Sequence, residues 1–110
     1  MDVFQHIVLS ENNCILIVDD DEACAKMLMW TLEMLGQKAL IAFDGLSAIK
    51  LANSFCPELV LLDIGLPGMT GYQICEALRK NPALENAFIV AQSGWEEKEH
   101  RERSKKAGFD

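Results

Sequence analysis

Three short apolar runs, each followed by a polar side chain, constrain the fold of this chain more than any other feature of its sequence. They cover residues 14–18, 59–62 and 88–91, and a weaker fourth candidate covers residues 37–42. Continuous apolar runs of this length are typical of strands that are covered on both faces, as in a parallel sheet. Because segments of helical length separate the runs, the sequence predicts an α/β fold with right-handed crossovers.

The segments outside the runs carry signals for the starts and ends of helices. The first helix is predicted to start near Glu22 and to end at Gly36, and further helices are predicted over residues 46–54, 72–80 and 96–107. On the first helix five residues are expected to face inward: Cys24, Met27, Leu28, Thr31 and Leu35. The alternation of strand and helix therefore continues along most of the chain.

Length and composition limit the chain to one compact domain. With 110 residues, of which 50% are hydrophobic, it has enough apolar material for one core. We divide it into a lead-in segment, residues 1–12, and a domain over residues 13–110. The formal charge of -7 argues against a nucleic-acid-binding surface, because phosphate backbones are bound by clustered lysine and arginine.

The cysteine pattern indicates a reducing compartment. Neither C-x-x-C spacing nor the density of a disulfide scaffold is present, so buried thiols are expected at the four cysteines: Cys14, Cys24, Cys56 and Cys75. The first ten residues do not have the pattern of a signal peptide, and no apolar stretch approaches the roughly 18 residues of a membrane span. We therefore expect a cytoplasmic protein that does not associate with membranes.

Acidic or hydroxyl side chains follow three of the predicted strands. Asp19, Asp20 and Asp21 come after the first strand, Asp63 after the third and Ser93 after the fourth. The carboxyl ends of parallel strands meet at one edge of a sheet, so these side chains are expected to converge. Carboxylates held close together repel one another unless a cation shares the site, and oxygen ligands without histidine or cysteine favour Mg²⁺ over zinc. Such a site is suited to aspartyl phosphate chemistry.

Each of these features also has a purely structural interpretation. An aspartate run after a strand is often a helix cap, and an aspartate before a glycine and proline turn is often a turn former. Ser93 is equally able to cap a following helix. The joint occurrence of the three features at three strand ends favours a common site over three unrelated turns.

The sequences at the strand ends resemble a known family. The segments I-L-I-V-D-D-D at 15–21, L-V-L-L-D-I-G-L-P-G-M-T-G at 59–71 and I-V-A-Q-S-G at 89–94 are similar to the receiver domains of two-component signalling. The resemblance extends from about residue 13 to the last residue. Within it, the sequence of residues 93–110 is similar to the corresponding segment of receivers that are attached to hybrid sensor kinases. It implies a flavodoxin-like three-layer sandwich with a parallel sheet of order 2-1-3-4.

The resemblance also implies a role for each site residue. Asp63 accepts a phosphoryl group and ligates Mg²⁺, Asp20 is a direct ligand, and Asp19 acts through metal-bound water. The backbone carbonyl of Gly65 completes the protein ligands, and Ser93 is the switch hydroxyl that binds the phosphate. The donor is a histidine kinase or a histidine phosphotransfer protein. The domain is not a separate enzyme, although it catalyses its own phosphoryl transfer and dephosphorylation.

The chain departs from the family pattern at its end. Receivers continue into a fifth strand with a switch aromatic residue and a phosphate-pairing lysine, then a fifth helix, whereas this sequence ends first, at Asp110. Lys105 and Lys106 fall on the preceding helix and are not expected to replace that lysine. We expect a truncated chain whose incomplete sheet edge favours dimerisation or strand exchange. A further expectation is that Trp30 of the first helix, which docks the phosphodonor in receivers, is partly exposed.

Three other functions remain as alternatives. A receiver-like scaffold that is not phosphorylated is favoured by the missing lysine. An aspartyl-phosphate phosphatase of the haloacid-dehalogenase type needs a second aspartate two residues after the nucleophile, where this chain has Gly65. A flavodoxin-like binding module needs a phosphate-binding loop after the first strand, where this chain has three aspartates.

Overall fold

A computed structural model describes residues 14–66, 68–92 and 105–110 of the chain. Its four strands are all parallel and lie in the order β2-β1-β3-β4, which confirms the predicted fold class and strand order. The elements, with a short 3-10 helix before the last strand, are β1 (Cys14–Val18), α1 (Glu22–Met34), β2 (Lys38–Ala42), α2 (Gly45–Phe55), β3 (Leu59–Asp63), α3 (Gly71–Arg79), the 3-10 helix Pro82–Leu84 and β4 (Phe88–Gln92).

The two central strands are buried on both faces. In β1, Ile15 and Ile17 pack with α1, whereas Leu16 and Val18 pack on the opposite face with residues of α2 and α3. None of these four side chains is more than 1% exposed. Burying one such side chain contributes roughly 1.5–3 kcal/mol, so the central strands supply much of the folding free energy. This two-sided burial explains why their sequences are continuous apolar runs.

The inward face predicted for α1 is wrong. The structure buries Ala25 and Leu32 against the sheet and leaves Met27 and Leu35 66% and 71% exposed. Of the five residues predicted to face inward, Leu28 packs against the core, and Cys24 and Thr31 are exposed like Met27 and Leu35. Because α1 has apolar side chains around most of its circumference, the hydrophobic pattern of its sequence does not determine which face turns towards the sheet. The small side chain of Ala25 allows the helix to pack close to the sheet on the observed face.

Two of the predicted buried thiols are exposed. Cys24 lies on the outer surface of α1, and Cys56 follows the last turn of α2, where its side chain also reaches solvent. Cys14 is half-buried, and only Cys75 is fully buried as predicted. The prediction was based on residue type, because a free cysteine usually behaves as a small apolar residue. Whether it is buried also depends on which face of its helix or strand it occupies, and residue type does not determine that face.

Arg79, the last residue of α3, connects three parts of the chain. Its guanidinium group forms an ion pair with the Asp110 carboxylate at 2.7 Å, and Asp110 Oδ2 also accepts a hydrogen bond from the Ile89 amide. The guanidinium group donates further hydrogen bonds at 2.8–3.1 Å to three backbone carbonyl oxygens, those of Leu84, Ala87 and Gly108. Arg79 therefore fixes the end of the chain against α3 and the start of β4.

The segment at the end of the described residues packs on the fold in a second way. The ring of Phe109 meets Tyr72 of α3 edge to face, with ring centroids 6.1 Å apart. Residues 105–107 are helical, whereas the rest of the helix predicted over 96–107, like the lead-in segment 1–12, lies outside the described residues. The amide of Asp110 donates to the Ile89 carbonyl, so Asp110 covers part of the β4 edge. The expected dimerisation through this edge stays a prediction.

Candidate functional site

Three carboxylates meet at the carboxyl edge of the sheet. Asp19 and Asp20 directly follow β1, Asp63 ends β3, and one oxygen from each of the three lies within 4.8 Å of the other two. Their approach follows from the strand register, because Val18 of β1 pairs with Leu62 of β3 and the next residue of each strand is an aspartate. The structure therefore brings together three of the residues that the sequence predicted for one site.

The electrostatics of Asp19 reflect this crowding. Burial raises the pKa of its carboxyl above the usual value, and the neighbouring charges of Asp63 and Asp20 raise it further. A hydrogen bond from the Asp21 amide to Asp19 Oδ1, 2.9 Å long, acts in the opposite direction by stabilising the charged form. A cation bound beside these half-buried carboxylates would stabilise their charged forms.

The third aspartate of the run has a different task. Asp21 is the N-cap of α1, and its Oδ1 accepts a hydrogen bond from the Cys24 amide at 3.2 Å. This hydrogen bond holds the pKa of the Asp21 carboxyl below its usual value. The aspartate run therefore serves both purposes that its sequence allowed: Asp19 and Asp20 belong to the carboxylate cluster, and Asp21 caps the helix.

The loop after β3 is held close to Asp63 by hydrogen bonds. The Gly65 amide donates to Asp63 Oδ1 at 2.9 Å, and the Gly71 amide donates to the Ile64 carbonyl at 3.1 Å. An added Cβ on Gly71 would lie 2.6 Å from the Ile64 Cα and 2.9 Å from the Asp63 carbonyl oxygen. Only glycine allows the start of α3 to lie this close to the backbone that carries Asp63.

Two further contacts position the same loop. Thr70 caps α3 in a reciprocal arrangement with Gln73, in which Thr70 Oγ1 accepts from the Gln73 amide and Gln73 Oε1 accepts from the Thr70 amide. The Met69 side chain packs on the start of α2, so that a Cβ on Gly45 would meet its sulfur at 2.7 Å. The T-x-x-Q spacing was a readable sequence signal for the cap, whereas no local signal indicated the Met69 contact.

The donor atoms fit a hard divalent cation. The described residues offer three carboxylates and no histidine or cysteine in the cluster, the ligand chemistry that Mg²⁺ prefers. Gly65 lies beside this cluster through its hydrogen bond to Asp63. Ser93 lies outside the described residues, but Gln92, which precedes it, pairs in register with Asp63.

Comparison with known proteins identifies the family. The response regulator receiver domain model matches residues 15–110. The chain is 39% identical over 73 residues to the alkaline phosphatase synthesis transcriptional regulatory protein PhoP of Bacillus subtilis, a match covering 66% of this chain and 30% of that protein. It is 37% identical over 79 residues to the DNA-binding response regulator MtrA of Mycobacterium tuberculosis, covering 72% and 35% respectively. The chain thus spans about a third of the length of these relatives.

Solved structures give the same result for the fold. A Vibrio cholerae chemotaxis protein CheY4 superposes with a TM-score of 0.85 at 25% identity, covering 88% of this chain and 81% of that one. The receiver domain of a DNA-binding response regulator from Colwellia psychrerythraea gives 0.81 at 32% identity, covering 90% and 82%. Attachment to a hybrid sensor kinase is not tested by these matches and stays a prediction. The chain belongs to the response regulator receiver domain family.

Proposed function

We propose that the chain is a phosphorylation switch in which Asp63 accepts a phosphoryl group with the help of Mg²⁺. The observation that carries this proposal is the convergence of Asp19, Asp20 and Asp63, whose oxygens lie within 4.8 Å of one another. A structural cap or turn needs no such convergence. Membership of the receiver family supports the same function.

In this proposal each residue has a separate role. Asp20 and Asp63 ligate the cation directly, Asp19 acts through water, and the Gly65 carbonyl supplies a further oxygen. When bound, Mg²⁺ neutralises charge on the phosphoryl oxygens. The free oxygen of Asp63 attacks phosphorus, the bond from phosphorus to the donor breaks, and the donor leaves with the bonding electron pair. The hydroxyl of Ser93 then binds the phosphoryl group.

Two features of the structure suit Asp63 to act as the nucleophile. Its Oδ1 already accepts the Gly65 amide, which fixes the rotation of the carboxylate and leaves Oδ2 for a second partner. The Gly71 contact holds the backbone on the other side of Asp63. A carboxylate that is oriented before the reaction loses less entropy when it reaches the transition state.

We further propose that the phosphodonor is a histidine kinase or histidine phosphotransfer protein and that it docks on the outer face of α1. Met27 and Trp30 are 66% and 56% exposed there, and with Glu22 and Lys26 they line a shallow groove. Because α1 starts two residues after Asp20, the groove begins at Glu22 near the carboxylates and extends along the helix to Trp30. Aromatic and methionine side chains are enriched at protein interfaces.

Phosphorylation with a small donor tests the assignment. The full chain is incubated with phosphoramidate and Mg²⁺, and intact mass spectrometry is expected to show the addition of one phosphoryl group. The gain is expected to disappear in Asp63→Asn and when Mg²⁺ is chelated, and to persist in Asp21→Asn, in which the altered residue only caps α1. An equal gain in Asp63→Asn would contradict the assignment. No gain in the wild-type chain would favour the unphosphorylated scaffold.

Among the described residues, no helix is long and apolar enough to cross a membrane. A cytoplasmic location remains part of the proposal, because the four cysteines have neither the spacing nor the density of a secreted disulfide scaffold.

A further inference from the structure

Two cysteines lie near each other at the edge of the sheet opposite the carboxylates. Cys14 opens β1, and its side chain is on the same face of the sheet as Leu16 and Val18, which pack against α2. Cys56 is the residue that ends α2. We infer that Cys14 and Cys56 form a reversible intramolecular disulfide when the protein meets a two-electron thiol oxidant. The bond would join the start of β1 to the end of α2.

The first observation is the distance between the two positions. The Cys14 sulfur lies 4.0 Å from the carbonyl oxygen of Phe55, the residue bonded to Cys56. By standard backbone dimensions that oxygen is about 2.8 Å from the Cys56 Cα, so the Cys14 sulfur is within about 7 Å of the Cys56 Cα. Formation of the bond then requires the Cys14 and Cys56 side chains to rotate towards each other. The Glu58 amide also bonds the Cys14 carbonyl at 3.0 Å, which keeps the two segments in register.

A second observation is electrostatic. Burial raises the pKa of the Cys14 thiol, and Cys56 lies close enough to raise it further. This agrees with the short distance between the Cys14 sulfur and the Phe55 carbonyl oxygen, which places the two cysteines near each other.

The backbone at Cys56 is a third observation. Its φ of 45° lies in the left-handed region, where glycine or asparagine is favoured at the end of a helix. The Cys56 thiol donates a hydrogen bond to the Asn53 carbonyl oxygen at 3.9 Å, so its sulfur is held at the end of α2 in a conformation that is less favourable for cysteine than for glycine.

The exposure of the two thiols sets the order of the reaction. Cys56 is exposed and reacts first, and half-buried Cys14 then displaces the oxidant from the Cys56 sulfur. With the diazene diamide as oxidant, Cys56 adds to the N=N bond, and attack by Cys14 forms the S–S bond and releases the hydrazine. The two thiols lose two electrons and two protons, and the diazene gains them.

The test uses the full chain, reduced and then freed of reductant, treated with diamide at low protein concentration. After alkylation and digestion, mass spectrometry is expected to find the Cys14 and Cys56 peptides linked and the chain monomeric. Cys56→Ser is expected to lose the linked peptide, and Cys24→Ser, the matched exposed control, to keep it. The linked form is expected to unfold several degrees higher until dithiothreitol is added, because the bond closes a long loop.

Two results would overturn the inference. One is a wild-type chain that keeps four alkylatable cysteines at a diamide concentration that oxidises a small dithiol. The other is a product containing only dimers linked through Cys24 or Cys56, because intermolecular bonds of that kind require exposure alone. Since Cys56 is on the surface, Cys56→Ser is expected to fold, and its thermal midpoint without oxidant serves as the check.

Discussion

The backbone of Ile64 lies so close to Gly71 that a methyl group on Gly71 would come within 2.6 Å of the Ile64 Cα. The contact joins the start of α3 to the residue that follows Asp63, and the Gly71 amide bonds the Ile64 carbonyl at the same point. The position of the proposed phosphate acceptor therefore depends on a residue that has no functional group of its own.

Gly71→Ala is expected to destabilise the fold by roughly 1–3 kcal/mol, because the backbone on both sides of the contact has to move. The measurement is the free energy of unfolding in urea. Gly65→Ala is the matched control in the same loop, since its added Cβ would lie 3.6 Å from Asp63 Oδ1, an ordinary contact distance. Equal destabilisation by both variants would contradict the role given to the close approach.

Replacement of Thr70 tests the helix cap. Thr70→Ala removes the hydroxyl that accepts the Gln73 amide, and it is expected to cost about 1 kcal/mol of stability. Thr70→Ser keeps the hydroxyl and is expected to unfold at nearly the wild-type urea concentration. A serine variant as unstable as the alanine variant would indicate that the threonine methyl group, rather than the cap, matters here.

Removal of one carboxylate tests the proposed metal site. Asp20→Asn is expected to weaken Mg²⁺ binding on the order of tenfold or more, because an anionic ligand is replaced by a neutral amide. Titration calorimetry with MgCl₂ measures the effect. The control is the adjacent Asp21→Asn, because asparagine caps helices as well as aspartate does. Similar losses in the two variants would show that net charge, and not ligation by Asp20, determines the affinity.

Arg79→Met is expected to destabilise the fold by roughly 2–3 kcal/mol, because three carbonyl groups and Asp110 lose a charged hydrogen-bond donor. Hydrogen exchange at the Ile89 and Asp110 amides is expected to accelerate as well. Lys80→Met removes a neighbouring exposed charge and is expected to leave both measurements almost unchanged. Unaltered exchange in Arg79→Met would mean that the Phe109 ring and the Asp110–Ile89 hydrogen bonds hold this segment without Arg79.

If the phosphodonor docks on α1, a substitution there should affect phosphorylation by a protein donor but not phosphorylation by a small donor. Trp30→Ser is expected to slow phosphorylation by a cognate phosphohistidine protein severalfold and to leave phosphorylation by phosphoramidate unchanged, because a small donor needs no docking surface. The rates are followed by intact mass spectrometry. Leu46→Ser, which alters an exposed apolar residue of α2, is the control. A loss of both rates in Trp30→Ser would place the defect in the fold.

The strands were predictable because burial on both faces leaves a strong local pattern. The carboxylate cluster was predictable for a related reason, since in a parallel sheet the strand order determines which residues meet at the carboxyl edge. The rotation of α1 was not predictable, because Met27 and Leu28 are both apolar and only packing against the sheet separates them. The Arg79 interactions also leave no local signal, since backbone carbonyls of any sequence can accept them.

The short connection between β1 and α1 has a consequence for how the domain tolerates change. Asp19 continues the sheet through its amide, which bonds the Ala42 carbonyl, and Asp21 already caps the helix, so a single residue separates the two structures. One extra residue inside α1 just after the cap would turn the remaining helix by about 100° relative to the carboxylates. The face proposed to bind a partner would then point away from that partner, so we expect this connection to tolerate almost no change of length.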